Sequence, residues 1–192
     1  MRKLLLLAAL AVFGTTTLSA QGISIGAKAG LNLANVNGND ADGAEGRTSF
    51  HIGGVVNLEI SELFAIQPEV IYSAQGFTET INIPLGGMLD VTNKLDYLNI
   101  PILADITIVE GLSIQGGPQF GINITSEADI EGETQKLEDV ETADVSAALG
   151  AQLELPVGLF FQARYVTGLT EIVKDISIKN QNISLSVGWF FN

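Results

Sequence analysis

Ile23-Ser24-Ile25-Gly26-Ala27-Lys28-Ala29-Gly30-Leu31-Asn32-Leu33 alternates without a slip between an apolar residue and a small or polar one. Successive side chains of a strand point to opposite faces, so Ile23, Ile25, Ala27, Ala29, Leu31 and Leu33 make one continuous apolar face. The same period returns in Leu98, Ile100, Ile102, Ala104, Ile106 and Ile108, in Val145 to Leu155, and in Ile183, Leu185, Val187, Trp189 and Phe191. The other face decides the solvent. In water it should carry charge on roughly a quarter to a third of its positions. Here it is mostly Gly, Ser, Asn, Gln and Ala with isolated charges. Small polar residues suit the bore of a narrow barrel, which side chains fill, and the uncharged apolar face then meets lipid.

Working outward, eight such strands are predicted at 22–36, 47–60, 63–76, 94–108, 111–125, 143–155, 158–169 and 180–191. A tilted strand of roughly 9 to 11 residues crosses a bilayer, so all eight are long enough. Ser61-Glu62, Val109-Glu110-Gly111 and Pro156-Val157-Gly158 are tight-turn material, whereas the alternate connections are long and rich in Asn, Asp, Glu, Gly and Thr. That asymmetry predicts an all-β, eight-stranded, antiparallel up-and-down transmembrane barrel with short periplasmic turns, long extracellular loops and both termini in the periplasm. Phe64-Ala65-Ile66-Gln67, Leu112-Ser113-Ile114-Gln115 and Leu159-Phe160-Phe161-Gln162 open equivalent strands, each with its Gln on the polar face. Pro68 and Pro101 fall inside strands and are expected to break a ladder bond or mark a bulge.

Residues 1–20 read as an export signal: Arg2 and Lys3 begin it, Leu4 to Phe13 is its apolar stretch, and Leu18-Ser19-Ala20 its cleavage site. The mature barrel domain is then 21–192, with seven basic residues against 22 acidic ones and a formal charge of −15, which would repel nucleic acid. With no cysteine there is no disulfide framework and no thiolate metal site. No P-loop, dinucleotide fingerprint or zinc spacing occurs, so no cofactor is expected.

Gln67-Pro68-Glu69, Tyr72-Ser73, Gly76, the block Tyr97-Leu98-Asn99-Ile100-Pro101-Ile102-Leu103, Gly117-Pro118, Arg164-Tyr165 and Gly168-Leu169 resemble the PorT-like outer-membrane β-barrel family. The resemblance covers the mature chain, and the Tyr97–Leu103 block is its most specific part. It implies an eight-stranded barrel in the outer membrane of a Gram-negative bacterium, in contact with lipid and lipopolysaccharide and inserted by the barrel assembly machinery. The founding member is linked to a protein secretion system, but fold alone does not transfer that role.

Lys28, Glu69, Asp105 and Arg164 face the bore about five residues from the periplasmic ends of their strands, and two positive with two negative charges could satisfy one another there. They would form either a structural polar core or a switchable gate. Aromatic residues gather at strand ends, Phe64, Phe161, Trp189 and Phe191 toward the periplasm and Phe50, Tyr72 and Tyr97 toward the loops, as an interfacial belt. The acidic loop from Ser126 to Thr142 could hold calcium or bridge cations to lipopolysaccharide, but lacks EF-hand spacing and reads as solvated charge. His51, the one histidine, points inward with Ser49 and Ser73 as candidate neighbours, yet there is no Gly-x-Ser-x-Gly elbow and no oriented acid partner. The expectation is therefore a non-enzymatic barrel with a structural or loop-mediated binding or adhesion role, open to an extracellular or periplasmic protein partner. A narrow porin-like or gating barrel and a soluble lipocalin-like barrel for an apolar ligand are the alternatives.

Overall fold

The computed structural model describes residues 22–41, 43–83, 87–130, 132–137, 139–174 and 176–191. The predicted export signal, Glu131 and Glu138 of the acidic loop, and Asn192 lie outside the described residues. The described residues form nine strands, β1 (Ile23–Asn37), β2 (Ala44–Ser61), β3 (Phe64–Ile83), β4 (Gly87–Val109), β5 (Leu112–Ile130), β6 (Glu133–Lys136), β7 (Ala143–Glu154), β8 (Leu159–Gly168) and β9 (Lys179–Phe190). β1 pairs with β2 on one side and β9 on the other, and antiparallel pairs through β3, β4, β5, β7 and β8 close the ring. Closure leaves no unpaired backbone edge at membrane depth. Two-residue turns at Glu62-Leu63, Glu110-Gly111 and Pro156-Val157 make the short end.

The faces are inverted relative to a protein folded in water. Leu31, Leu33, Ile106, Leu149, Ile183, Leu185 and Val187 are exposed, while Lys28 is 3%, Glu69 2% and Arg164 4% exposed. A lipocalin-like barrel would have the opposite phase, with an apolar interior, so the soluble alternative is overturned. Apolar residues could remain outside at this density only against acyl chains.

The predicted strands end too early on the extracellular side. β3 runs to Ile83 and β4 begins at Gly87, and their pairing continues unbroken from Ile71↔Asn99 to Ile83↔Gly87. β5 runs to Ile130, pairing with β4 from Val91↔Ile130, and β6 folds back on it from within the stretch read as loop. β3, β4, β5 and β6 therefore rise beyond the barrel as a four-stranded blade. Its inward face mixes the buried apolar residues Phe77, Val91, Leu95 and Ala128 with Gln75, Asn93 and Ser126, so no unbroken apolar alternation announces it. Its β-branched residues, among them Thr78, Thr80, Ile81, Val91 and Thr92, favour extended backbone. At the base of the blade Gly76 has φ +124°, and a Cβ there would fall 1.9 Å from the Asn93 carbonyl oxygen, so the bend requires glycine.

The two prolines interrupt the ladder without shifting it. The β3–β4 register is the same before and after the gap between Pro68↔Ile102 and Ile71↔Asn99, and the β4–β5 register is kept from Pro101↔Gln119 to Ala104↔Gly116. The bulges lie elsewhere, between Gly46 and His51 and between Glu59 and Ser61 on β2, and at Asp96/Tyr97 and Thr107/Val109 on β4.

Candidate functional site: a layered bore beneath an extracellular blade

Parity along each strand fills the bore in layers. At the periplasmic end Phe160 and Phe190 stack with ring centroids 4.7 Å apart and pack with Val55. Glycine makes their room: a Cβ on Gly188 would meet the Phe160 ring at 2.2 Å, and one on Gly26 the Phe190 ring at 2.9 Å. Both phenylalanines escaped the sequence reading because each precedes an outward-facing aromatic, Phe161 or Phe191.

Above them lies the charged layer. Glu69 accepts from Lys28 Nζ at 2.8 Å, from Arg164 Nη1 and Nη2 at 2.8 and 2.7 Å, and from Gln67 Nε2 at 2.8 Å. A forked guanidinium contact plus an ammonium is strong compensation for a carboxylate withdrawn from water. Asp105 stands apart. Its Oδ2 accepts from Gln115 Nε2 at 2.6 Å, and neither Lys28 nor Arg164 pairs with it. The four charges are thus one triad and one separate carboxylate. The glutamines of the internal repeat meet here, Gln162 donating to Gln115 at 2.7 Å and Gln67, Gln115 and Gln162 all donating to Gln152 Oε1.

The next layer centres on His51. Its Nδ1 lies 2.9 Å from Asn32 Oδ1, which can only accept, so Nδ1 carries the proton. Nε2 then accepts from the Ser186 hydroxyl at 2.8 Å. Ser49 and Ser73 take other partners: Ser49 donates to the Ala74 carbonyl, and Ser73 Oγ accepts from Asn32 and Gln75. Ser186 was not legible because it reaches His51 only through the pairing of the first strand with the last. Gly30 is opposite His51 on β2 and opposite Ser186 on β9, and its missing side chain is where they touch. Hydroxyl, imidazole and amide follow the order of a nucleophile, base and orienting group. All three are buried, however, and the cavity beside them is about 20 Å³, room for a water and not for a substrate.

Toward the loops, Val36, Phe77, Leu95, Tyr97 and Ile172 form an apolar cap, with Leu137, Val140, Val173 and Ile178 against it. Tyr97 corrects the belt assignment. It is 1% exposed and faces inward, because Leu98 and Ile100 beside it hold the lipid face of β4. The other belt residues point out. Phe64, Phe161, Trp189 and Phe191 are exposed at the periplasmic rim. At the opposite rim Phe50 lies 5.8 Å from Tyr72, whose hydroxyl donates to Asp96 Oδ2 at 2.6 Å.

In the acidic loop Asp129 accepts from Lys94 Nζ at 2.7 Å and from the Gly132 amide at 3.1 Å. The Lys94 hydrogen bond, with that amide second, holds its carboxyl below the usual range. Among the described residues no three His, Cys, Asp or Glu side chains converge as a metal site would need. The periplasmic mouth, in contrast, holds a cavity of about 530 Å³ running in as far as Asp105 and Gln152.

A closed ring with lipid-facing apolar residues has a match in sequence: residues 19–174 fit the family described as outer membrane protein beta-barrel domain. The chain belongs to that family. This outer-membrane barrel is similar in structure to Neisserial surface protein A, with TM-score 0.55 and 12% identity over 88% of this chain and 96% of that one. It is also similar to the attachment invasion locus protein Ail of Yersinia pestis, with TM-score 0.51 and 12% identity over 88% of this chain and 99% of that one. OprG of Pseudomonas aeruginosa matches with TM-score 0.50 and 13% identity over 90% and 97% of the two chains. Identities this low speak for the fold alone. No curated protein sequence matches. Family and fold together assign the protein to the cell outer membrane.

Proposed function

We propose that this outer-membrane barrel is a non-catalytic binding or adhesion module whose blade engages a protein partner outside the cell while the bore stays shut. The observation that carries this reading is the outer edge of β6, which among the described residues pairs only with β5 and so offers backbone donors and acceptors to a further strand. An edge strand on a sheet continuous with the barrel is a rigid template for β-addition. The enclosed Ser186–His51–Asn32 chain supports the non-catalytic part. Proline at Thr134 and at Lys136, singly and together, removes edge donors without touching the barrel, because alternate amides of β6 face away from β5. Displayed in a non-adherent bacterium, the protein is expected to confer attachment to cultured cells that the double variant loses. Equal attachment by the double variant and the parent would overturn the reading.

The periplasmic cavity favours a second reading, a narrow porin-like or gating barrel. Planar-bilayer recording of Arg164→Ala and Glu69→Ala tests it: negligible conductance in both would remove the gate. The finer PorT-like assignment, with an accessory part in secretion, is supported by the Tyr97–Leu103 block and would fail if loss of the protein left secretion intact. Cleavage after Ala20, insertion by the barrel assembly machinery and cation-bridged contact of the acidic loop with lipopolysaccharide belong to the same proposal. The cleavage is checked by Gln21 appearing as the mature N-terminus.

A further inference from the structure

The periplasmic mouth carries charge that the rest of the bore does not answer. Glu59, Glu62, Asp105, Glu110 and Glu154 line its cavity, and among the described residues no lysine or arginine does. Glu154, Asp105 and Glu59 face one another across that single cavity. Asp105, at the inner end, is only 5% exposed, and Gln115 is its one hydrogen-bond donor among the described residues. A buried carboxylate persists when a positive charge compensates it. Both cations of the bore are committed elsewhere, since Lys28 donates to Glu69 and Gln162, and Arg164 to Glu69 and Gln115. A second group points the same way. Ser113 is 8% exposed and lines the cavity, yet its hydroxyl has no hydrogen-bond partner among the described residues.

We propose that this mouth is a binding site for a linear organic polyamine. The carboxylates are spread from the turns at Glu62 and Glu110, past the walls at Glu59 and Glu154, to Asp105 at the inner end. Spaced acids of this kind match ammonium groups spaced along a flexible alkyl chain, whereas a metal ion needs them to converge, which they do not. The innermost ammonium donates to Asp105 and to the Ser113 hydroxyl, and the outer ones to Glu154, Glu59 and the turn acids. At about 530 Å³ the cavity falls within the roughly 300–1,000 Å³ of small-molecule sites. The site is independent of the blade, so neither proposal stands or falls with the other.

Titration calorimetry of the refolded mature barrel in a non-ionic detergent, with spermidine as the probe, tests the site. Saturable binding is expected, weakened on the order of tenfold by Asp105→Asn and by Glu154→Gln and unmoved by Glu127→Gln and Glu141→Gln on the extracellular side. Heat-modifiable gel migration confirms that each variant is folded. Should Asp105→Asn fail that check, Glu154→Gln and the turn variant Glu110→Gln carry the comparison. Absence of saturable heat, equal weakening by the extracellular variants, or equal affinity for magnesium ions would each overturn the proposal.

Discussion

The bore at membrane depth and the blade above it are built from the same antiparallel pairing but stabilised by opposite means. In the bore, Glu69, Lys28 and Arg164 have left water and depend on one another. In the blade, Lys94 and Asp129 make a pair of equal length that solvent still reaches. An ion pair in water can be broken at little cost because water replaces the partner. The buried triad has no such substitute, so the same chemistry is indispensable in one region and incidental in the other.

The contrast would break first at Glu69. Glu69→Ala leaves two buried cations facing each other and is expected to cost about 3–5 kcal/mol. The check is the urea midpoint for unfolding from lipid vesicles; a midpoint within error of the parent would mean that the charges are solvated. Phe160→Ala empties the periplasmic plug and is expected to cost about 3 kcal/mol, without altering the charged layer. Measuring it together with Glu69→Ala in a double variant sharpens the comparison, because separate layers should give additive losses. At the boundary of the two regions, Gly76→Ala strains a backbone that favours glycine and is expected to cost about 1–2 kcal/mol. Hydrogen exchange should show that loss in the blade amides and not in β8 or β9. The smallest effect belongs to Lys94→Met, with no resolvable change in the barrel midpoint. Because the Asp129 carboxyl is held below its ordinary value, the support it lends is present above that value and lost as pH falls through the lower, folded-state one. Loss of protection of the β6 amides as the parent is acidified, once the intrinsic exchange rate is divided out, and a smaller pH step in Lys94→Met, where the Gly132 amide alone still holds Asp129, is the expected signature.

The same contrast explains what could be read in advance. A lipid wall writes itself into the chain, since every second residue of Ile23–Leu33 or Ile183–Phe191 must be apolar, and the strands, turns and outward belt followed from that rule. The inward direction of Lys28, Glu69, Asp105, Arg164 and His51 followed too, because parity alone sets it. Partnership did not. Whether Arg164 meets Glu69 or Asp105 depends on the stagger between strands far apart in sequence, and Ser186 meets His51 only across the seam of β9 and β1. The blade left no clear apolar period because its buried face mixes Phe77, Val91 and Ala128 with Gln75, Asn93 and Ser126. Tyr97 was misplaced by being assigned from its nearness to a strand end, although its neighbours Leu98 and Ile100 already fixed its parity.

The triad joins β1, β3 and β8; β2 already holds β1 beside β3, but β8 comes round to Glu69 only once β9 has zipped onto β1. Until that last seam forms, Arg164 and Glu69 belong to an open, curled ribbon whose inner face is wet. Dehydrating these charges before closure would strand them without a counterpart. Insertion is therefore coupled to circularisation: the chain gains by surrendering its charges to the membrane interior only as a finished cylinder.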